Sequence, residues 1–242
     1  MPYRKEQFIN GEIYHIVLRG IDDNLIFKDI DDYYRGIFSI YEFNTTKPIT
    51  IRARREARLK IKKLQKETRR GPSSVTDERD KLVDIFAFCF MPNHIHLLVR
   101  QIKEGGITKF MSKVGTGYGR HFNKKYSRKG YVFQNRFLAV HIKNDEQLKT
   151  VFVYIHTNPI SLIEPNWKEK GIKNPQKVIK FLENYKWSSY QDYIGKKNFP
   201  SATEKKFILK IINKKNGCKD FVENWVRYKR EIKGFAELFL EN

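Results

Sequence analysis

The chain has 242 residues, with 48 Lys and Arg against 27 Asp and Glu, so its formal net charge is +21. With 40% apolar and 14% aromatic residues, it has enough hydrophobic material for a packed core, which excludes a disordered basic tail. Only two cysteines are present, which excludes a disulfide framework and a four-cysteine zinc site.

The first predicted elements are a strand and a helix. The β-branched and aromatic run Ile13 to Leu18 predicts a strand that ends in a turn at Arg19 and Gly20. Asp31 is the predicted N-cap of the helix that follows. Its predicted buried face has the spacing i, i+3, i+4, i+7 and comprises Tyr34, Ile37, Phe38 and Tyr41.

Residues 51–70 form a strongly basic segment. They hold ten Lys or Arg against Glu56 and Glu67, and a thin apolar stripe at helical spacing predicts an exposed helix. A solvated helix that only improves solubility is one interpretation. We favour a surface that follows DNA phosphates, because so many like charges repel each other unless a polyanion is present.

The central part of the chain alternates strands with helices. Two strands, Asp84 to Phe90 and His94 to Val99, predict a hairpin. A helix with an apolar stripe, a strand over 137–142 and a helix capped at Asp145 follow. The stripe comprises Ile107, Phe110, Met111, Val114, Tyr118 and Phe122. The order β, α, β, β, α, β, α predicts an α+β fold with helices packed on an antiparallel or mixed sheet.

Beyond about Pro165 the chain becomes polar and Lys-rich, with an aromatic anchor around Trp187. We therefore expect a domain over residues 1–165, with a basic insertion at about 45–82, and a mostly helical C-terminal extension over residues 166–242. The sequence shows neither a signal peptide nor an apolar run of membrane-spanning length, so we expect a cytoplasmic protein without a membrane partner. The charge favours nucleic acid as the partner, with an anionic membrane surface as the second choice.

The sharpest chemical feature is the pair His94 and His96. Residues two apart on a strand point to the same face of the sheet, so the two imidazoles project together and can share a metal ion. Ile95, Leu97 and Val99 then point into the opposite layer. An isolated pair of this kind is more often structural than functional.

Two further features favour a functional site. Tyr118 follows on the next helix, beside several basic residues, and a phenol near a divalent cation can act as a nucleophile. A core tyrosine is the competing interpretation. The run from Gly130 to Phe137 mixes aromatic with polar and cationic side chains, which suits phosphate contact and base stacking, although an ordinary half-buried strand has the same pattern.

Together, four motifs resemble the REP-associated tyrosine transposases, within the single-tyrosine class of HUH nucleases. They are His94-Ile95-His96 after Met91-Pro92-Asn93, the run from Gly117 to Asn123, the run from Phe133 to Phe137, and Tyr154-Ile155-His156-Thr157-Asn158-Pro159. The resemblance covers roughly residues 10–190. It implies a ferredoxin-like α+β fold in which the central sheet carries the histidines and a helix presents the tyrosine to them.

The resemblance also implies a metal-dependent single-stranded DNA endonuclease and strand transferase, a transposase acting on hairpin-containing DNA. His94 and His96 hold Mg²⁺ or Mn²⁺, and Tyr118 attacks the phosphate to form a 5′-phosphotyrosine linkage. In relatives a Gln or Asn four residues after the tyrosine completes the metal site, but here that position is Phe122. Asn123 is the preferred third ligand and His121 the alternative.

The expected DNA contacts combine the basic segment with the later motifs, and the protein is expected to be a monomer or a homodimer. The contacts are Arg52, Arg54, Arg55, Arg58, Lys62, Arg120, Lys124, Gln134 and Arg136.

Two other functions fit the same residues. One is a non-catalytic or domesticated nucleic-acid-binding protein, in which the histidines and tyrosine are structural. The other is a metal-dependent hydrolase that uses water, and not tyrosine, as the nucleophile. His15, His141 and His156 are expected to lie outside the site.

Overall fold

The computed structural model describes residues 7–49, 56, 59, 79–134, 136–212 and 217–228. Four strands form one antiparallel sheet in the order β2-β3-β1-β4. They are β1 (Ile13–Arg19), β2 (Val83–Met91), β3 (His94–Gln101) and β4 (Leu138–Ile142). With helix α1 (Ile30–Glu42) between β1 and β2, and helix α2 (Gly106–Lys125) between β3 and β4, this is the ferredoxin-like α+β topology.

Helices α1 and α2 cover one face of the sheet. The side chains of Ile95, Leu97 and Val99 on β3 belong to the hydrophobic cluster on this face. The predicted stripe of α2 is buried in the same cluster, from Ile107 to Phe122. The two helices approach closely at Gly117, where an added Cβ would lie 2.2 Å from the ring of Phe43. Residues 106–122 therefore form the helix that the apolar periodicity predicts.

Helix α3 (Asp145–Thr157) covers the opposite face of the sheet. The hydrophobic cluster on this face includes Leu98 of β3 and residues of five later helices, which pack beside α3 or beyond it. These are α4 (Trp167–Lys170), α5 (Pro175–Asn184), α6 (Tyr190–Tyr193), α7 (Lys205–Ile212) and α8 (Gly217–Tyr228). The predicted C-terminal extension is thus helical where it is described, and it shares one core with α3 and the sheet. The boundary at about residue 165 stays a prediction.

The N-caps of α1 and α3 each lie before the aspartate that the sequence suggested. Asp29, and not Asp31, caps α1, because its carboxylate accepts the backbone N–H of Asp32 at 3.0 Å. Asn144, and not Asp145, caps α3 by accepting the N–H of Gln147 at 2.9 Å. An acidic residue just inside the helix also favours its N-terminus, so the two positions look alike in sequence.

The aromatic anchor around Trp187 protects the outer edge of the sheet. Trp187 stacks on Tyr33 with ring centroids 4.6 Å apart, and the next residue, Ser188, pairs with Cys89 of β2. This segment supplies hydrogen bonds to an edge strand that would otherwise be open to pairing with another chain. Within the described ranges, no helix is long and apolar enough to cross a membrane. Of the predicted basic helix at residues 51–70, only Glu56 and Leu59 are described, and both are helical and exposed.

Candidate active site

His94 and His96 lie side by side on the face of the sheet that α3 covers. Their ring centroids are 4.7 Å apart, as expected for residues i and i+2 of one strand. His96 is fully buried, whereas 8% of His94 is exposed. The pair therefore sits under α3, with His94 at its more open end.

Tyr118 lies on the other face of the sheet. Its ring is packed in the cluster of α1 and α2, and its hydroxyl donates to the carbonyl oxygen of Ile26. Burial, together with the negative charge of Asp32, raises the pKa of this phenol well above its ordinary value. The expectation that Tyr118 faces the histidines is thus contradicted. Helix α2 packs on the apolar face of β3, and the histidines point the other way.

The two proposed third ligands also belong to α2. Asn123 donates from its side-chain amide to the carbonyl oxygen of Gly130 at 2.7 Å. His121 is partly buried beside Arg35, and burial followed by the Arg35 charge lowers the pKa of its imidazole. Because α2 covers the opposite face, the structure brings neither residue to His94 and His96.

The groups that do meet the histidines come from the end of α3. Asn158, the C-cap residue of this helix, has its side-chain Nδ2 3.1 Å from Nε2 of His96. The ring of Tyr154, one helical turn earlier, lies 5.7 Å from the ring of His96 in an edge-to-face arrangement. The Nδ1 atom of His96 lies 3.0 Å from Nε2 of His15 on β1. Tyr154, Asn158 and His15 are therefore the residues that the sequence analysis missed.

A signal for two of them was present in the sequence. The resemblance implies an Asn or Gln four residues after the nucleophilic tyrosine. Tyr118 has Phe122 at that position, whereas Tyr154 has Asn158. Residues i and i+4 lie on one face of a helix, so this spacing alone matches Tyr154, and not Tyr118, to the tyrosine of the family pattern.

Two cations flank this group. The Nζ atom of Lys168 on α4 lies 3.4 Å from the Tyr154 hydroxyl and 5.2 Å from the centre of its ring. Arg19 is paired directly opposite His94 across β1 and β3, and its side chain is 18% exposed. Its Nε is buried and has no hydrogen-bond acceptor among the described residues. These two cations form a rim beside the tyrosine and the histidines, in which Arg19 also pairs with Asp23 through Nη1 at 3.5 Å.

The predicted DNA contacts divide into three sets. Arg52, Arg54, Arg55, Arg58 and Lys62 lie outside the described residues. Arg120 and Lys124 are exposed on α2, on the far side of the sheet. Gln134 and Arg136 are exposed next to the end of β1, where the backbone N–H of Gln134 donates to the carbonyl oxygen of Arg19 at 2.9 Å. Only this last set, among the described contacts, lies near the histidine face.

The spacing of His96 and Asn158 fits two neighbouring ligands of a six-coordinate divalent cation. Two neighbouring ligands of an octahedral ion at about 2.1 Å lie about 3.0 Å apart, and Nε2 of His96 lies 3.1 Å from the Asn158 amide. The N and O atoms of an amide are assigned from the hydrogen-bond network, so the same geometry can present its oxygen. Among the described residues, no group of three or more His, Cys, Asp or Glu could hold a metal. The candidate set instead has two imidazoles and one amide.

His156, in the same motif, points elsewhere. Its Nε2 lies 2.8 Å from the hydroxyl of Ser189, which in turn accepts the backbone N–H of Phe88. Complete burial lowers the pKa of His156 to about 3, so the imidazole is neutral. It links α3 to β2 and to the segment before α6, which is a structural role.

Comparison with known families finds a similarity to transposases. Residues 44–158, just under half of the chain, match the family described as "Transposase IS200 like". The match confirms the resemblance that the motifs indicate and supports a transposase function. The matched range includes His94 and His96 and ends at Asn158.

Among solved structures, the chain is similar to one described as a REP-associated tyrosine transposase bound to a REP hairpin. The two share 14% sequence identity with a TM-score of 0.41, over 90% of this chain and 97% of the other. No curated protein matches the chain significantly.

Proposed function

We propose that this protein is a metal-dependent single-stranded DNA endonuclease and strand transferase in which Tyr154, and not Tyr118, is the nucleophile. One observation carries the proposal. The end of α3 places Tyr154 and Asn158 against His96 on one face of the sheet, and Tyr118 is buried on the other. The transposase family match supports the reaction class.

The reaction proceeds by attack of the Tyr154 oxygen on a backbone phosphorus. The new bond is a 5′-phosphotyrosine, the P–O3′ bond breaks, and the proton lost by the phenol is balanced by the proton that the leaving 3′-oxygen gains. The Lys168 ammonium lies 3.4 Å from the phenol oxygen, where its charge favours the negative charge that develops there. Attack by another 3′-hydroxyl reverses the step and joins strands without an external energy source.

His94, His96 and Asn158 would hold the divalent cation, Mg²⁺ or Mn²⁺. When bound, the ion supplies Lewis acidity to the scissile phosphate. Imidazole nitrogen is a better ligand for Mn²⁺ than for Mg²⁺, so we expect Mn²⁺ to bind more tightly. The chain itself fixes these side chains on adjacent elements, β3 and the end of α3.

We propose that DNA enters at the end of the sheet where His94 is 8% exposed and Arg19 stands opposite it. An arginine N–H without an acceptor in a mostly buried position is costly, and a phosphate oxygen satisfies it. Gln134 and Arg136 extend this rim, and the basic segment 51–70 adds sequence-independent affinity. Preference for hairpin-containing DNA rests on the family resemblance. The oligomeric state, a monomer or a homodimer, stays a prediction.

The test is formation of a covalent protein–DNA adduct. The full-length protein is incubated with labelled single-stranded hairpins from the sequence flanking its gene, with Mg²⁺ or Mn²⁺ and with chelator, and run on a denaturing gel. We expect a metal-dependent adduct that Tyr154→Phe and His96→Ala both abolish.

Two results would assign a different function. Cleavage without an adduct that persists in Tyr154→Phe would indicate water as the nucleophile. Salt-sensitive binding with neither cleavage nor adduct on any hairpin would favour a non-catalytic DNA-binding protein.

A further inference from the structure

We propose that His15 is a positioning residue, which selects the tautomer of His96 that can hold the metal ion. This inference rests on the proposed function, because it concerns the same site. The properties it predicts are the metal affinity and the tautomer of His96, so it is tested separately from the chemistry of Tyr154.

The geometry is specific. His15 on β1 and His96 on β3 are both fully buried and lie on the same face of the sheet. Their rings are nearly parallel, with an interplanar angle of 17°, and Nε2 of His15 lies 3.0 Å from Nδ1 of His96. Tyr154 packs edge-on against both rings, at 5.9 Å and 5.7 Å. Burial of an imidazole is costly unless it is hydrogen-bonded, so this pairing accounts for the polar residue at position 15.

The required tautomer follows from what the two ring nitrogens of His96 face. A neutral imidazole carries one N–H, and a metal ion binds the other nitrogen. Nε2 faces Asn158, so metal binding there requires the proton on Nδ1. That N–H is buried and needs an acceptor, which Nε2 of His15 supplies at 3.0 Å. His15 thus stabilises the tautomer of His96 whose Nε2 carries the lone pair that would coordinate the metal ion.

An outer partner of this kind also fixes the orientation of the metal-binding ring. Loss of such a partner typically weakens metal binding by about 10- to 100-fold. An apolar residue of similar size at position 15 would leave the sheet packed but would remove the acceptor. A glutamine would replace the acceptor with an amide oxygen.

The experiment compares wild type with His15→Leu and His15→Gln, each as the full chain. Mn²⁺ affinity is measured without DNA by the electron paramagnetic resonance signal of the free ion, and circular dichroism checks the fold. Tyr118→Phe serves as the control for a buried change on the other face. We expect His15→Leu to raise the Kd for Mn²⁺ by about 10- to 100-fold, His15→Gln to recover most of the affinity, and Tyr118→Phe to bind as wild type.

Adduct formation then separates this inference from the proposed function. We expect saturating Mn²⁺ to restore much of the adduct in His15→Leu. By contrast, Tyr154→Phe should bind Mn²⁺ normally yet form no adduct. Wild-type Mn²⁺ affinity in a folded His15→Leu would overturn the role of His15 and leave the proposed function intact. Equal loss in the Leu and Gln variants would also overturn it. A wild-type protein that binds no Mn²⁺ would overturn both.

A second measurement does not depend on any variant folding. Proton–nitrogen correlation spectra of wild type with Mg²⁺ report which nitrogen of His96 carries the proton. We expect the proton on Nδ1, and a proton on Nε2 under saturating Mg²⁺ would refute the inference.

Discussion

Tyr118 and Tyr154 provide a matched pair of substitutions, because each is a buried tyrosine packed on one face of the same sheet. Tyr118→Phe removes the hydroxyl that donates to Ile26 and leaves that carbonyl oxygen buried without its donor. A buried unsatisfied group costs about 1–3 kcal/mol. In a chain of this size 1 kcal/mol corresponds to roughly 2–4 °C in Tm, so the expected decrease is roughly 2–12 °C.

Adduct formation should be affected in the opposite way: Tyr118→Phe should retain it and Tyr154→Phe should lose it. Tyr118→Phe keeps the groups around His96, so its adduct should form at the wild-type rate below its melting temperature. Tyr154→Phe keeps the ring that packs edge-on against His15 and His96, so the protein should stay folded while its adduct disappears. Thermal unfolding followed by circular dichroism, together with adduct gels, measures both properties. A folded Tyr118→Phe that forms no adduct, beside an active Tyr154→Phe, would refute the assignment.

Three further predictions concern other parts of the chain. Arg19→Gln should slow adduct formation at saturating DNA by about 10²-fold, as for removal of one donor to a developing charge, and should weaken DNA binding by less, because it removes one of several phosphate contacts. Rates at saturating DNA and filter binding check this, and an unchanged saturated rate beside weakened DNA binding would assign Arg19 to binding alone. Replacing Arg52, Arg54, Arg55 and Arg58 with Gln should reduce the slope of log K against log salt by about 0.7 for each lost phosphate contact; an unchanged slope would exclude this segment from the DNA interface. His156 binds a proton only when unfolded between its ordinary pKa of 6.5 and its folded pKa of about 3. The free energy of unfolding should therefore fall by about 2 kcal/mol between pH 6.5 and pH 5. Urea titrations at the two pH values test this, and His156→Gln should flatten the dependence if His156 is its source.

The elements of the fold could be predicted because their periodicities are strong. In the β1 and β3 segments, successive side chains alternate between the two faces of the sheet. The stripe from Ile107 to Phe122 has helical spacing over four turns. The N-caps were displaced because adjacent acidic and amide residues suit the same helix end. The packing of the C-terminal helices against α3 depends on contacts between distant segments, for which the sequence carries no periodic signal.

The expectation that Tyr118 faces the histidines was wrong because α2 covers the other face of the sheet, a placement that the strand connections predict. Connections between parallel strands are right-handed, which places α1 and α2 on the same face. That face must be apolar, and on β3 only Ile95, Leu97 and Val99 qualify. His94 and His96 then point toward whatever follows β4, which is α3 with Tyr154. The pairing of His15 with His96 required the register of β1 against β3, which residue patterns do not supply.

Tyr154 and Asn158 are joined by a single turn of helix, so they move together as a rigid segment. The backbone N–H of Asn158 donates to the carbonyl oxygen of Tyr154, so the two residues keep their separation when α3 moves. The proposed nucleophile and the proposed metal ligand therefore keep a fixed separation. Helix α8 shares the α3 core through Val222 and Val226. A displacement of the C-terminal helices is thus transmitted to Tyr154 and Asn158 together. Under the proposed function, residues far from the scissile phosphate can therefore affect the rate of cleavage.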